Sequence, residues 1–195
     1  MTLAASDGAR VPRFDALGLL VDGAEESWAA FSKDRRYRYL LARTWDWSVE
    51  RPLMLMLFIM LNPSTADAVD DDATIRRCIG FARRERCGGI LVANLFAWRE
   101  TQAKRLLLAA DPVGEQNVEV LRLALGSPIV SRIVCAWGAL SPKLIARSDA
   151  TRRIAMSTRP SWCLGKTRSG QPRHPVRLAN DTPLIALSVP GADAL

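Results

Sequence analysis

Nine consecutive apolar residues, Leu53-Met54-Leu55-Met56-Leu57-Phe58-Ile59-Met60-Leu61, are followed directly by Asn62-Pro63-Ser64-Thr65-Ala66-Asp67. An unbroken apolar run of this length predicts a β-strand that is covered on both faces. Proline has no N–H for a sheet and disfavours the α conformation in the preceding residue, so Asn62 is expected to lie extended at the carboxyl end of the strand. Ligands bind at that edge in open α/β sheets, although a simple turn is the alternative interpretation.

Further apolar runs and amphipathic segments alternate along the rest of the chain. A helix is expected from about Ala73 to Arg86, because its apolar residues recur at helical spacing and Gly88 and Gly89 follow it. The other predicted segments are strands at 90–96, 129–137, 161–164 and 182–188, and helices at 101–108, 111–126 and 140–155. This alternation predicts an α/β fold, a three-layer α/β/α domain with a mostly parallel central sheet.

The residues before the first apolar run predict an antiparallel hairpin. Its strands at 28–32 and 37–45 flank the polar turn 33–36, and a short strand at 18–22 precedes them. Side-chain alternation in the second strand predicts one face with Tyr37, Tyr39 and Leu41 and the other with Arg38, Leu40 and Ala42.

Composition places the chain among ordinary globular proteins. Of its 195 residues, 49% are hydrophobic and 24% charged, which suits a single α/β domain over 16–195 after a loose leader at 1–15. The longest apolar run is too short for a bilayer, which needs about 20 residues, and no signal-peptide pattern is present, so a cytoplasmic protein is expected. Four dispersed cysteines and one histidine predict no zinc site, and no cofactor is expected.

The formal net charge of +7 fits an anionic partner such as nucleic acid or a nucleotide. Arg76 lies on the predicted helix, and Arg173 and Arg177 lie in or beside a basic loop at 165–177, so these three arginines are the candidate phosphate contacts. A basic charge is also common in soluble proteins from genomes that favour arginine. The charge alone therefore leaves the partner open, and neither a membrane association nor an oligomeric state is predicted.

Polar residues at predicted strand ends are the candidate site. The Asn62 carboxamide can hold a water molecule or pair with a base edge, with Pro63 and Ser64 as further substrate contacts in the same loop. Asn94 ends the second apolar strand and needs either a scaffold partner or a ligand, because burying it unpaired costs about 1–3 kcal/mol. His174 is the single histidine and lies between two prolines, so any imidazole chemistry must use it.

Asp67 and the run Asp70-Asp71-Asp72 lie just before the predicted helix at 73–86. Carboxylates at this position satisfy free amides of the first turn and complement the helix dipole. Alternatively, one of them, with Asp67 as the candidate, is catalytic, or the cluster binds a metal. All-oxygen ligation of that kind suits magnesium.

Several segments together resemble one bacterial and phage family, domain of unknown function 1643. They span roughly residues 27–178 and comprise RYRYLLARTWDW (from Arg36), FIMLNPSTADAVDDDATIRRCIGFARR, VANLFAWRET, DPVGEQN, AWGA and CLGKTRSGQPRHP. A more distant, motif-level similarity links the chain to the uracil-DNA glycosylase superfamily. That resemblance implies a glycosylase-like sheet in which Asn62 holds the attacking water, Asn94 reads the base and His174 stabilises the departing base.

These observations favour a protein that recognises or acts on a nucleobase, in DNA or as a nucleotide. The expected reaction is hydrolysis of an N-glycosidic bond, with Asn62, Asp67 and His174 as catalytic candidates. One alternative is a non-catalytic module that binds nucleic acid or a nucleotide. Another is a metal-dependent nucleotide or phosphoryl hydrolase that uses the cluster Asp70–Asp72.

Overall fold

The computed structural model describes residues 17–24, 26–45, 54–64 and 66–187, so the expected leader at 1–15 lies outside the described residues. Within these ranges the chain forms an eight-stranded sheet and three α-helices. The strands are β1 (Leu20–Ala24), β2 (Ser27–Phe31), β3 (Arg38–Thr44), β4 (Leu55–Met60), β5 (Gly89–Asn94), β6 (Val130–Cys135), β7 (Ser161–Cys163) and β8 (Ile185–Ala186). The helices are α1 (Ala73–Arg84), α2 (Asn117–Gly126) and α3 (Pro142–Thr158), and shorter 3-10 helices cover Ala103–Leu108 and Pro175–Arg177.

The sheet is mixed, and the prediction of a mostly parallel, glycosylase-like sheet is wrong. The strand order is β1-β2-β3-β5-β4-β6-β7-β8, and four of the seven pairings are antiparallel. The predicted hairpin, now β2 and β3, is confirmed, and it extends the sheet through the antiparallel pairing of β3 with β5. Only β5, β4, β6 and β7 run parallel to one another.

Helices cover both faces of the sheet. Apolar residues of α1 pack with one face of β4 and β5, whereas α2 and α3 pack on the other face. The central strand β4 is fully buried, as its unbroken apolar sequence predicts. The two buried clusters therefore give an α/β fold with helices on either side of one sheet.

Two predicted helices differ at their starts. α2 begins at Asn117 rather than Asp111, because the Asp111 carboxylate instead accepts hydrogen bonds from the amides of Val113 and Gly114 at 3.0 and 3.1 Å. The segment predicted as a short helix at 101–108 is a 3-10 helix. Among the described residues, no helix is long and apolar enough to cross a membrane.

A β-bulge in the hairpin changes which face β3 presents. The register shifts between Ala30 and Phe31, so Ala30 pairs with Leu40 while Phe31 pairs with Arg38. Tyr39 consequently lies in the cluster under α2 and α3, and the Arg38 guanidinium reaches the α1 side. The simple alternation predicted for Arg38 and Tyr39 is wrong, because a bulge places an extra residue on one strand.

Two buried arginines of β3 attach the loop between β4 and α1 to the sheet. Arg38 is 2% exposed and donates to the carbonyl of Ala66 at 2.5 Å. Arg43 is 7% exposed; it donates to the carbonyl of Asp67 at 2.7 Å and forms an ion pair with Asp71 at 2.9 Å. Buried, charged hydrogen-bond donors of β3 therefore hold the loop 62–72 at the end of the sheet.

The chain topology creates a crevice between β4 and β6. These neighbouring parallel strands send the chain in opposite directions, since β4 leads to α1 on one face and β6 leads to α3 on the other. Ligand sites of α/β proteins lie at such switch points, outside the carboxyl ends of the strands.

We expect Arg43→Met to lower the free energy of unfolding by about 2–3 kcal/mol, because Asp71 and the Asp67 carbonyl lose a buried charged partner. Urea unfolding measures this loss. The control is Arg122→Met on α2, which removes an exposed pair with Glu119 and should leave the unfolding midpoint nearly unchanged. Equal losses in the two variants would contradict the anchoring role of Arg43.

Candidate functional site

A cavity of about 370 Å³ opens at the carboxyl ends of β4 and β6. This volume lies within the range of small-molecule sites. The wall residues that matter chemically come from β3, four loops and the start of α1: Arg38, Asn62, Asp72, Glu100, Trp137 and His174. Asn62 and His174, predicted from distant parts of the sequence, thus line the same cavity.

Asn62 is fixed as a hydrogen-bond acceptor. Its Nδ2 donates to the backbone carbonyls of Pro63 at 3.1 Å and Glu100 at 2.6 Å. Its Oδ1 accepts no hydrogen bond from the described residues, which leaves this oxygen for a water molecule or ligand. Of the other predicted contacts in this loop, Ser64 lines the cavity, whereas Pro63 is buried and serves through its carbonyl.

His174 lines the cavity as a neutral imidazole. Burial lowers its pKa below the usual value, and the nearby negative charge of Asp72 only partly offsets that effect. Its Nδ1 accepts from the backbone amide of Val176 at 3.4 Å, so the neutral ring carries its proton on Nε2. The structure therefore presents His174 as a neutral N–H donor.

The loop after β6 positions the segment that carries His174. The indole N–H of buried Trp137 donates to Gln171 Oε1 at 2.8 Å, and the amide of Gly138 donates to the carbonyl of Pro172 at 2.8 Å. Gly138 has φ +80°, and a Cβ there would lie 3.2 Å from His174 Cβ. A glycine is required at this position because of both its backbone conformation and the close approach of His174.

Within the aspartate cluster, it is Asp72 that lies on the cavity wall. Its Oδ1 caps α1 by accepting from the amides of Thr74 and Ile75 at 2.8 and 2.9 Å, so the capping interpretation is confirmed for this residue. Its Oδ2 has no hydrogen-bond partner among the described residues. Asp67, predicted as catalytic, instead accepts from the amides of Val69 and Asp70, which lower its pKa, and does not line the cavity.

Arg38 is the cavity residue that sequence reasoning missed. Burial lowers its pKa to about 10, while Asp72 acts in the opposite direction. Its Nε has no hydrogen-bond partner among the described residues, although Nη1 donates to the carbonyl of Ala66. The available signal was a charged residue within an apolar strand, but the bulge at Tyr39 concealed the face to which it belongs.

Asn94 lies near the cavity but is not part of its lining. It is 1% exposed and pairs with Met60 across the sheet, and neither Oδ1 nor Nδ2 has a hydrogen-bond partner within the described part of the chain. Because side chains alternate along β5, Asn94 shares the α1 face with Ile90 and Val92. It is therefore a buried, unsatisfied amide behind the cavity wall contributed by Met60.

The predicted phosphate contacts lie outside the cavity. Arg76 on α1 is exposed and donates to the backbone carbonyl of Asp71, while Arg173 and Arg177 are exposed on either side of His174 in sequence. None of the three lines the cavity. The part of the chain that the structure describes contains no group of three or more His, Cys, Asp or Glu residues arranged to hold a metal ion.

The sequence between Arg38 and Val176 decides the family. Residues 38–176 match the family model described as "Protein of unknown function (DUF1643)". The chain belongs to this family. No curated protein and no solved structure matches it. In this DUF1643 chain the matched region contains β3 to β7 and every cavity residue named above.

A single histidine makes the protonation of His174 directly measurable. We expect an imidazole titration midpoint below 6.5 by NMR, because burial disfavours the charged ring. At pH values between the pKa of His174 in the folded chain and its pKa in the unfolded chain, the unfolded chain binds a proton and the folded chain does not. The free energy of unfolding therefore falls as the pH drops below about 6.5. His174→Gln should remove this component, as measured by urea unfolding at neutral and mildly acidic pH. A native midpoint at or above 6.5 would contradict the assignment.

Proposed function

We propose that the cavity binds a nucleobase of a nucleotide or nucleic acid and promotes hydrolysis of its N-glycosidic bond. The observation that supports this proposal is the convergence of Asn62 and His174 on one cavity at the switch point of the sheet. One residue offers a fixed acceptor oxygen and the other a neutral N–H donor. These are the two groups needed to hold a water molecule and to stabilise a departing base.

The reaction uses residues of the cavity wall. A water molecule hydrogen-bonded to Asn62 Oδ1 attacks C1′ of the sugar as the C1′–N bond breaks. The electron pair of that bond leaves with the base, and His174 Nε2–H donates to the base oxygen on which negative charge collects. Asp72 Oδ2 takes the proton from the water and later returns it to the released base, replacing Asp67 as the candidate general base.

The distribution of charge supports entry of the base rather than the phosphate. Asp72 and Glu100 carry negative charge on the cavity wall, where Arg38 is the buried cation. The arginines predicted to contact phosphate, Arg173 and Arg177, are exposed outside. A neutral base can enter such a cavity, whereas a phosphate group is favoured at its edge.

One observation favours the second candidate, a non-catalytic binding module. Several polar atoms of the wall already form hydrogen bonds with backbone groups. They are Asn62 Nδ2, Asp72 Oδ1 and Glu100 Oε1, the last of which accepts from the amide of Gln102 at 3.0 Å. Groups held in this way define a shape and a hydrogen-bond pattern whether or not a bond is broken. No observation favours the metal-dependent hydrolase.

Asp72→Asn tests the proposed general base. Asparagine caps helices about as well as aspartate, so the fold should survive while proton transfer is lost. We expect release of free base, followed by chromatography, to fall by about 10²–10⁴-fold. The substrate panel consists of nucleosides and short oligonucleotides that contain uracil, hypoxanthine and the common bases.

The matched control is Asp70→Asn, an isosteric change two residues away at an exposed position outside the cavity. It should leave base release unchanged. Binding of a nucleoside, seen as a rise in the thermal unfolding midpoint, without release by the wild type would identify the binding module. If the wild type binds no member of the panel and releases no base from any of them, both candidates are contradicted.

A further inference from the structure

Four exposed arginines beside the cavity have no carboxylate partner among the described residues. We call them the basic rim: Arg76, Arg168, Arg173 and Arg177. Arg76 follows the cavity-lining residues Thr74 and Ile75 on α1, and the others lie in the segment 165–177 that carries His174. Arg76 and Arg173 are each next in sequence to a residue of the cavity wall, and Arg177 ends the 3-10 helix that begins after His174.

The packing of these elements keeps the rim in place. Arg77 and Arg84 of α1 donate to Asn180, just beyond the 3-10 helix Pro175–Arg177. The amide of Arg173 donates to the carbonyl of Gly165 at 2.9 Å, which closes the base of its loop. Both elements that carry the rim are thus fastened to the fold and to each other.

On the opposite face of the sheet, Lys143 and Arg153 are likewise exposed and without a carboxylate partner among the described residues, whereas three arginines there have partners. Arg122 of α2 pairs with Glu119, and Arg152 of α3 pairs with Asp149 at 3.2 Å. Arg147 donates to the carbonyl of Leu95 at 3.1 Å. Both faces therefore carry cations without a carboxylate partner among the described residues, but those of the basic rim are the ones that stand close in sequence to residues of the cavity wall.

We propose that the basic rim binds the phosphate backbone of a single-stranded nucleic acid while one base enters the cavity. This inference rests on the proposed function of the cavity. A phosphate monoester carries only about −1.5 to −2 charge, too little to neutralise four arginines, whereas a strand supplies one charge per nucleotide. A polymer therefore fits the rim better than a nucleoside monophosphate does.

Negative charge beside the cavity explains the choice of a single strand. There the loop 66–72 exposes Asp70, and Asp72 and Glu100 line the wall. The phosphates of a second strand would approach Asp70, which has no basic partner among the described residues. Four arginines on the rim and an exposed carboxylate at Asp70 favour one phosphate backbone rather than two.

The test uses a charge-matched pair of double variants of the full chain. R173Q/R177Q removes two cations from the rim, and K143Q/R153Q removes two exposed cations from α3 on the opposite face. Fluorescence anisotropy measures binding of a labelled strand of about 20 nucleotides, longer than common single-strand site sizes, as DNA and as RNA. A duplex of the same sequence and the mononucleotides are the comparison ligands.

We expect R173Q/R177Q to weaken strand binding several-fold and to reduce the slope of log K against log salt by about 1.4, which corresponds to two lost phosphate contacts. K143Q/R153Q should change neither value. Equal losses in the two double variants would overturn the rim as the binding surface. Tighter binding of the duplex would overturn the single-strand assignment. Mononucleotides that compete for the protein as well as the unlabelled strand does would overturn the assignment of a polymer as the ligand.

Failure of this inference is distinguishable from failure of the proposed reaction. Strand binding that depends on Arg173 and Arg177, without release of any base, supports the rim and contradicts the hydrolysis. Release of base from nucleosides, without tighter binding of strands, supports the hydrolysis and contradicts the rim. Comparison of the DNA and RNA strands shows whether the 2′-hydroxyl affects binding.

Discussion

The buried guanidinium groups of Arg38 and Arg43 are the constraint on which the rest of the structure depends. A charge removed from water requires acceptors at fixed distances, and here the carbonyls of Ala66 and Asp67 and the carboxylate of Asp71 provide them. All three acceptors belong to the loop between β4 and α1. The two arginines hold this loop against β3, and Arg38 itself forms part of the cavity wall beside Asp72 at the start of α1.

A second set of contacts prepares the opposite wall. Trp137 and Gly138 follow β6 and donate hydrogen bonds to Gln171 and Pro172. These bonds fix the backbone before His174. Asn62 is likewise held by two backbone carbonyls. Groups that are already oriented need little reorganisation when charge develops on a ligand, and for this reason preorganised dipoles contribute strongly to catalysis and recognition.

The sequence predicted those features that depend on local pattern. The apolar run of β4, the hairpin and the capped start of α1 follow from hydrophobic spacing and capping chemistry, and so does the placement of Asn62 beyond a strand. Strand direction did not follow, because periodicity is the same in parallel and antiparallel strands. The cavity role of Arg38 also escaped prediction, since a bulge of one residue at Tyr39 reverses the expected face. The roles of the aspartates were also not predictable from local pattern alone. Carboxylates before a helix indicate capping, but only the folded loop shows that Asp72 lies on the cavity wall and that Asp67 accepts hydrogen bonds within its own turn.

Burial connects the chemistry of the cavity with its charge. Loss of water lowers the pKa of both His174 and Arg38, and Asp72 acts against that effect in both cases. His174 becomes a neutral donor, whereas Arg38, with a pKa of about 10, keeps its charge at neutral pH. Asp72 thus compensates a buried cation, caps a helix and leaves one oxygen toward the cavity. A ligand that brought another full charge inside would disturb this balance, and so the neutral part of a nucleotide is the part that the cavity favours.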